Sequence, residues 1–190
     1  DFCPYHLIAS RTNKEIIGNL IDGKLDWGRV KSLVSGYKEE NRFETYLEAL
    51  RERVCWKEKI LLPLTEDLFI VEKGEERIVK CRCGQEYGDY RENWKLQALI
   101  HVRETEEEIQ ELYPFPSRPD PQYCEIREFY CPGCAAQLEV ETVPFGYPLV
   151  FDFLPDLDSF YREWLNKPLE KVKEFKDLTY EAVKNWADEN

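Results

Sequence analysis

With 190 residues, 26 Lys+Arg against 38 Asp+Glu and a formal charge of −12, the chain has the size of one domain, or of two small ones sharing a core. Hydrophobic residues at 43% and aromatics at 14% exclude a disordered tail. The acidic balance argues against docking on nucleic-acid phosphates or anionic lipid, and the longest apolar runs, 60–64 and 147–151, fall far short of the roughly 20 residues a bilayer span requires.

The first residues, Asp1-Phe2-Cys3-Pro4-Tyr5-His6, lack the basic start and apolar core of a secretory signal. Seven cysteines is an odd count in a chain that needs no staples, so a cytoplasmic location is expected rather than a secreted disulfide framework. Ile16, Ile17, Leu20 and Ile21 predict a helix closed by Gly23. Val30, Leu33 and Val34 predict a second, entered through Asp26 and stopped near Gly36. A third is expected over 41–55, with Phe43, Tyr46, Leu47, Leu50 and Val54 on its buried face.

The pattern then changes to strands. Runs at 59–63, 68–71 and 77–81, with a turn at Lys73-Gly74-Glu75, predict a hairpin. An extended segment is expected from 94 to 103. Thr105 and Glu108 form a capping box that starts a short helix ending by Tyr113. Residues 113–121 hold four of the eleven prolines and read as a stiff loop. Strands at 124–130 and 137–143 flank a tight turn at 131–134. Asp156 or Asp158 caps a helix carrying Phe160, Tyr161, Trp164 and Leu165, and beyond Pro168 a helix-prone tail carries Val172, Phe175, Leu178, Ala182 and Trp186 as one apolar stripe. The expected fold class is α+β, in three regions: 1–56 helical, 57–155 β-rich with a zinc-ribbon-like site of four cysteines, and 156–190 a helix and charged tail.

The chemistry concentrates in the cysteines. Cys81 and Cys83 form C-x-C followed by Gly84; Cys131 and Cys134 form C-P-G-C. Two sequence-local thiol pairs on strands supply the four tetrahedral thiolates that a structural Zn2+ prefers. Gly133 and Gly84 allow positive-φ turns around the metal, with amides aimed at sulfur. Lys80 and Arg82 flank the first pair and are expected to offset the net −2 of a tetrathiolate zinc site. The alternation of 137–143 places a strand after Cys134, where a redox dithiol would want a helix. Cys3, Cys55 and Cys124 have no close partners and read as packed or incidental thiols.

No phosphate cradle, dinucleotide fingerprint or nucleophile elbow is present, and His6 and His101 stand outside any motif. No catalytic residue is therefore expected. The aromatics in Pro-containing segments, Phe2 to Tyr5, Tyr113 to Tyr123 and Phe145 to Phe153, have the character of interface anchors.

A fixed order of fragments carries a resemblance. It runs through Asp22-Gly23-Lys24-Leu25-Asp26, Arg42-Phe43-Glu44-Thr45-Tyr46, Lys59-Ile60-Leu61-Leu62-Pro63-Leu64, Cys81-Arg82-Cys83-Gly84 with Asn93-Trp94-Lys95-Leu96, Ile126-Arg127-Glu128-Phe129-Tyr130-Cys131-Pro132-Gly133-Cys134, and Asp152-Phe153-Leu154-Pro155-Asp156. These fragments, between residues 12 and 168, resemble the gamma subunit family of acetone carboxylase, including the related subunit of acetophenone carboxylase. The resemblance implies a biotin-independent, ATP-dependent ligase that joins bicarbonate to the methyl carbon of a ketone, giving a 3-oxo acid. It implies a hetero-oligomer in which two large hydantoinase-like subunits hold ATP, bicarbonate and a divalent metal and carry the catalysis. This chain would be the structural partner, with Cys81, Cys83, Cys131 and Cys134 as zinc ligands. The pattern departs from the family at Gln85 and Gly88, where a His and a further Cys often stand. Two rival readings rest on the same thiols: a zinc-ribbon module of a transcription or nucleic-acid complex, which the −12 charge opposes, and a reversible disulfide pair.

Overall fold

The architecture was obtained as a computed structural model, which describes residues 18, 19, 21–24, 28, 41–113 and 118–189, with side chains to 185. The expected helix over Val30–Val34, most of the Ile16–Ile21 stripe, Cys3 and the first aromatic arm lie outside the described residues. Gly23 does take a positive φ of 66° at its turn.

Helix α1 (Arg42–Arg51), the first whose bounds lie within the described residues, is shorter than the 41–55 expected from its stripe. It stops at Glu52 because Arg51 reaches forward to the carbonyls of Lys57 and Glu58 and turns the chain toward the first sheet. Strands β1 (Lys59–Pro63), β2 (Leu68–Lys73), β3 (Glu76–Cys81) and β4 (Glu86–Asp89) form an antiparallel meander in that order. Strand β2 reads as an unbroken apolar run because both of its faces are covered. Phe69 and Val71 join Ile60 and Ile78 against Tyr46, Ala49 and Leu50 of α1, whereas Leu68 and Ile70 join Leu61 and Val79 in the main core. That is the period of two, with each face buried against a different element. Gly74, at φ 63°, makes the β2–β3 turn that the sequence predicts.

The second sheet is another antiparallel meander, of β5 (Leu99–Arg103), β6 (Cys124–Tyr130) and β7 (Gln137–Pro144). The extended segment expected from 94 is only partly a strand. Asn93 accepts from the Lys95 amide at 3.1 Å and caps a 3-10 turn over Trp94–Gln97, which drives Trp94 and Lys95 inward before β5 begins. Helix α2 (Glu106–Leu112) follows with both halves of the Thr105/Glu108 capping box formed and Ile109 fully buried beneath it. Thr105→Ala is expected to lower Tm by about 2–4 °C without changing metal content, read by calorimetry; an unchanged Tm would show that Ile109 alone holds the helix.

The main core is shared by both sheets and the C-terminal region: Leu61, Tyr87, Trp94, Phe129, Leu138, Leu157 and Tyr161 belong to one cluster. Of the two candidate caps, Asp156 accepts from the Ser159 amide at 3.0 Å and starts helix α3 (Leu157–Ser159), which continues as a π-helical turn through Trp164. Asp158 has a different task. It takes both arms of the buried Arg77 guanidinium at 2.9 and 3.0 Å.

The tail differs from the single stripe expected of it. Residues 168–177 are not helical, because their backbone is claimed by other partners. Arg77 donates to the Lys171 carbonyl, the Lys173 amide reaches Asp158 at 2.9 Å, and the Leu178 amide reaches the Arg91 carbonyl at 2.9 Å. Val172 and Phe175 consequently face solvent. Helix α4 (Thr179–Glu189) begins only afterwards; the Trp186 side chain lies outside the described set. No helix among the described residues is long and apolar enough to cross a membrane.

Candidate metal centre

Each cysteine pair sits in the tight turn of a hairpin, one turn from each sheet. In the β3–β4 turn the Cys81 amide donates to the Gln85 carbonyl at 2.7 Å, the Gly84 amide returns to the Cys81 carbonyl at 2.8 Å, and Gly84 takes φ 103°. In the β6–β7 turn the Ala135 amide donates to the Cys131 carbonyl at 2.8 Å and the Cys131 amide to the Ala136 carbonyl at 2.9 Å. The two turns face one another across the join between the sheets. Cys81 Sγ lies 3.8 Å from Cys134 Sγ and Cys83 Sγ lies 3.7 Å from Cys131 Sγ, and all four sulfurs fall within 4.8 Å of one another.

These separations decide what the cluster can be. A disulfide needs about 2.05 Å between sulfurs, and the six described cysteines are all free. A tetrahedron of sulfurs about 2.3 Å from a central Zn2+ has edges of about 3.8 Å. The donor set therefore fits a thiophilic cation. Cys81 and Cys131 are buried whereas Cys83 and Cys134 are exposed, so the site lies at the rim of the core.

The thiols are electrostatically uneven. Burial, reinforced by the neighbouring sulfurs, pushes the Cys81 thiol far above its ordinary value. Burial also works against the Cys131 thiolate, but the Tyr87 hydroxyl and the Gly133 and Cys134 amides outweigh it and bring that thiol down to about 7. The Tyr87 hydroxyl is buried without a hydrogen bond of ordinary geometry to any described atom, so its polarity is left for the sulfurs it interacts with. Four thiolates this close repel one another, and a divalent cation removes the repulsion.

Two sequence expectations need correction. Lys80 and Arg82 do not serve as counter-charges to the sulfurs. Lys80 is adjacent to Cys81 on a strand and projects to the opposite face, where it binds Glu58, sits 3.2 Å from Glu86 and lies over the Trp56 ring; Arg82 pairs with Asp67 at 3.0 Å. The second correction concerns Gly133, which is absent from the positive-φ positions; Ala135 takes that role at φ 58°. Gly133 is needed for space, since an added Cβ would stand 3.2 Å from Cys83 Sγ and 3.2 Å from Gln85 Cβ. Its amide does point at Cys131 Sγ, at 3.4 Å, as expected. Gly133→Ala is expected to weaken metal retention about tenfold or more against a competing chelator. Equal retention would show that the turn shifts at no cost.

Sequence reasoning assigned Cys55 and Trp56 no part in the site, yet they brace the first turn from the α1–β1 connection. Trp56 Nε1 donates to the Cys81 carbonyl at 2.9 Å and the Cys55 thiol lies 3.3 Å from the Cys83 carbonyl. Cys124 is remote from the cluster and donates to the Asp120 carbonyl. His101 is exposed on β5. Strand β7, not a helix, follows Cys134, so no helix N-terminus activates either thiol of that pair.

A second charged cluster also escaped the sequence. Lys95, 1% exposed, is held by Glu139 at 2.8 Å, Glu141 at 3.0 Å and Asp152. Its signal was present: a lysine after a tryptophan at a cap, and Glu139-x-Glu141 on one face of a strand.

Comparison with known proteins was consistent with this geometry. Residues 54–165, which include all four clustered cysteines, match the family described as acetone carboxylase gamma subunit. The acetone carboxylase gamma subunit of Xanthobacter autotrophicus is 41% identical over 160 residues, covering 83% of this chain and 95% of that protein. The acetophenone carboxylase beta subunit of Aromatoleum aromaticum is 38% identical over 81 residues, covering 40% of this chain and 61% of that one.

Proposed function

The chain belongs to the acetone carboxylase gamma subunit family, and on that premise we propose that it is the small, zinc-holding, non-catalytic subunit of a cytoplasmic, ATP-dependent ketone carboxylase. The reaction joins bicarbonate to the methyl carbon of a ketone, a C–C bond-forming ligation. ATP, bicarbonate and a second divalent metal belong to two large hydantoinase-like subunits of a hetero-oligomer. Cys81, Cys83, Cys131 and Cys134 are the zinc ligands, and the region 57–155 is the unit that the metal organises.

One observation carries the reading: four sulfurs at tetrathiolate spacing stitch one sheet to the other. A site of four protein thiolates is closed and leaves no open position for substrate, so the metal holds shape and the chemistry lies elsewhere. The cations that flank Cys81 in the sequence, Lys80 and Arg82, are paired with carboxylates, which supports a protein partner over nucleic acid.

Three measurements test it. Elemental analysis should find one zinc per chain, and purification from the native source should bring down two much larger chains. Ketone-dependent ATP hydrolysis should require the whole assembly; the same hydrolysis by this chain alone would overturn the division of labour.

A further inference from the structure

We propose that the segment after β7 is the docking strap of this chain, and that the cavity beside Asp152 receives a basic side chain, arginine in preference to lysine, from a large partner subunit. The proposal rests on the subunit reading above and names the surface and chemistry of that contact.

The strap runs from Phe145 without helix or strand until α3. It is tied down through its backbone. Arg127 donates to the Tyr147 carbonyl at 2.6 Å and the Asn93 amide group to the Leu149 carbonyl at 3.4 Å. Leu149, Phe151 and Leu154 pack on the main core, but three of its four rings are left outward: Phe145, Tyr147 and Phe153 are 47, 46 and 59% exposed. A segment anchored on the core that still leaves three large rings in solvent offers a preformed contact surface, and its two prolines reduce the entropy lost when it docks.

Charge says what should cover it. Between residues 144 and 156 the strap carries Asp152 and Asp156 and no cation. Beneath it, Lys95 and Arg127 face Glu125, Glu139, Glu141 and Asp152, so two positive charges meet four negative ones and a net −2 remains. Half-exposed Asp152 lines a cavity of about 100 Å³ together with Leu64, Trp94, Phe151, Phe153 and Glu139, and Lys95, already shared among three carboxylates, lines it too. Carboxylates with aromatic walls suit a guanidinium, which hydrogen-bonds in its plane and stacks on its faces.

The test uses the assembled holoenzyme, with the chain co-expressed with the large subunits of its own source. Phe153→Ala removes a ring that is mostly in solvent, so folding and metal content should hold. Its affinity for the large subunits should fall about tenfold or more. Asp152→Asn leaves Lys95 with two carboxylates and should weaken binding while flattening its dependence on salt. Wild-type association with both variants within twofold of wild type in affinity and salt slope would overturn the docking strap and leave the subunit reading standing. No association of the wild-type chain would overturn the subunit reading itself.

Discussion

Cys131→Ser is expected to purify without stoichiometric metal and to lose the cooperative thermal transition of the native chain. Cys131 is fully buried in the shared core, receives the Gly133 amide and faces the Tyr87 hydroxyl. Serine offers a harder, weakly acidic oxygen on a shorter bond, and a tetrathiolate site that loses one thiolate loses affinity steeply. Structural zinc contributes about 10–16 kcal/mol in small finger peptides. This chain has other cores, so the loss should be regional. Sheet β1–β4 retains its packing on α1, whereas the second sheet loses its join. Hydrogen exchange should therefore show β5–β7 opening first, with Ile60 and Val71 still protected. Cys55→Ser is the control: its thiol touches the Cys83 carbonyl rather than the sulfur cluster, and its metal content should stay at one per chain. Full zinc occupancy in Cys131→Ser would remove the basis of the structural reading.

The elements set by local chemistry were legible in the sequence. The capping box at Thr105, the Gly74 turn and the strands on either side of 131–134 lie where their residues placed them. The convergence of the four cysteines was legible for a similar reason, since each pair is closed by its own hairpin and only one long-range step is needed. What escaped was decided by competition between distant groups. The tail at 168–177 has helical spacing, yet Arg77, Asp158 and Arg91 claim its backbone, and none of those partners is near it in sequence. Lys80 shows a different limit, because proximity along a strand is not proximity in space: neighbouring strand residues point to opposite faces.

The other large effect is expected from Lys95→Met, which fills the same space without the charge. Glu139 and Asp152 would lose their ammonium partner, Glu141 would keep only the Arg127 guanidinium at 3.5 Å, and the Phe129 ring would lose the ammonium that lies over it. Removing one partner of a buried ion cluster costs about 3–5 kcal/mol. Half-exposed Asp152 is screened by water, which places the expectation near the lower end, a drop of about 6–12 °C in Tm. The pH dependence separates charge from packing. Burial disfavours the Lys95 ammonium, but Asp152, Glu139 and Glu141 more than compensate and hold its pKa above the ordinary lysine value. Its stabilisation is therefore complete at neutral pH and is lost only as pH rises through that alkaline range. Burial raises the Glu139 carboxyl while Lys95 opposes the rise. Without the lysine the carboxyl climbs further, so the variant's folded state takes up a proton more readily than its unfolded state and gains stability as pH falls. The Tm deficit against wild type should accordingly shrink as pH is lowered across the interval in which both proteins keep matched metal content. A deficit that stays constant over that interval would mean that Lys95 acts through the shape of its side chain alone.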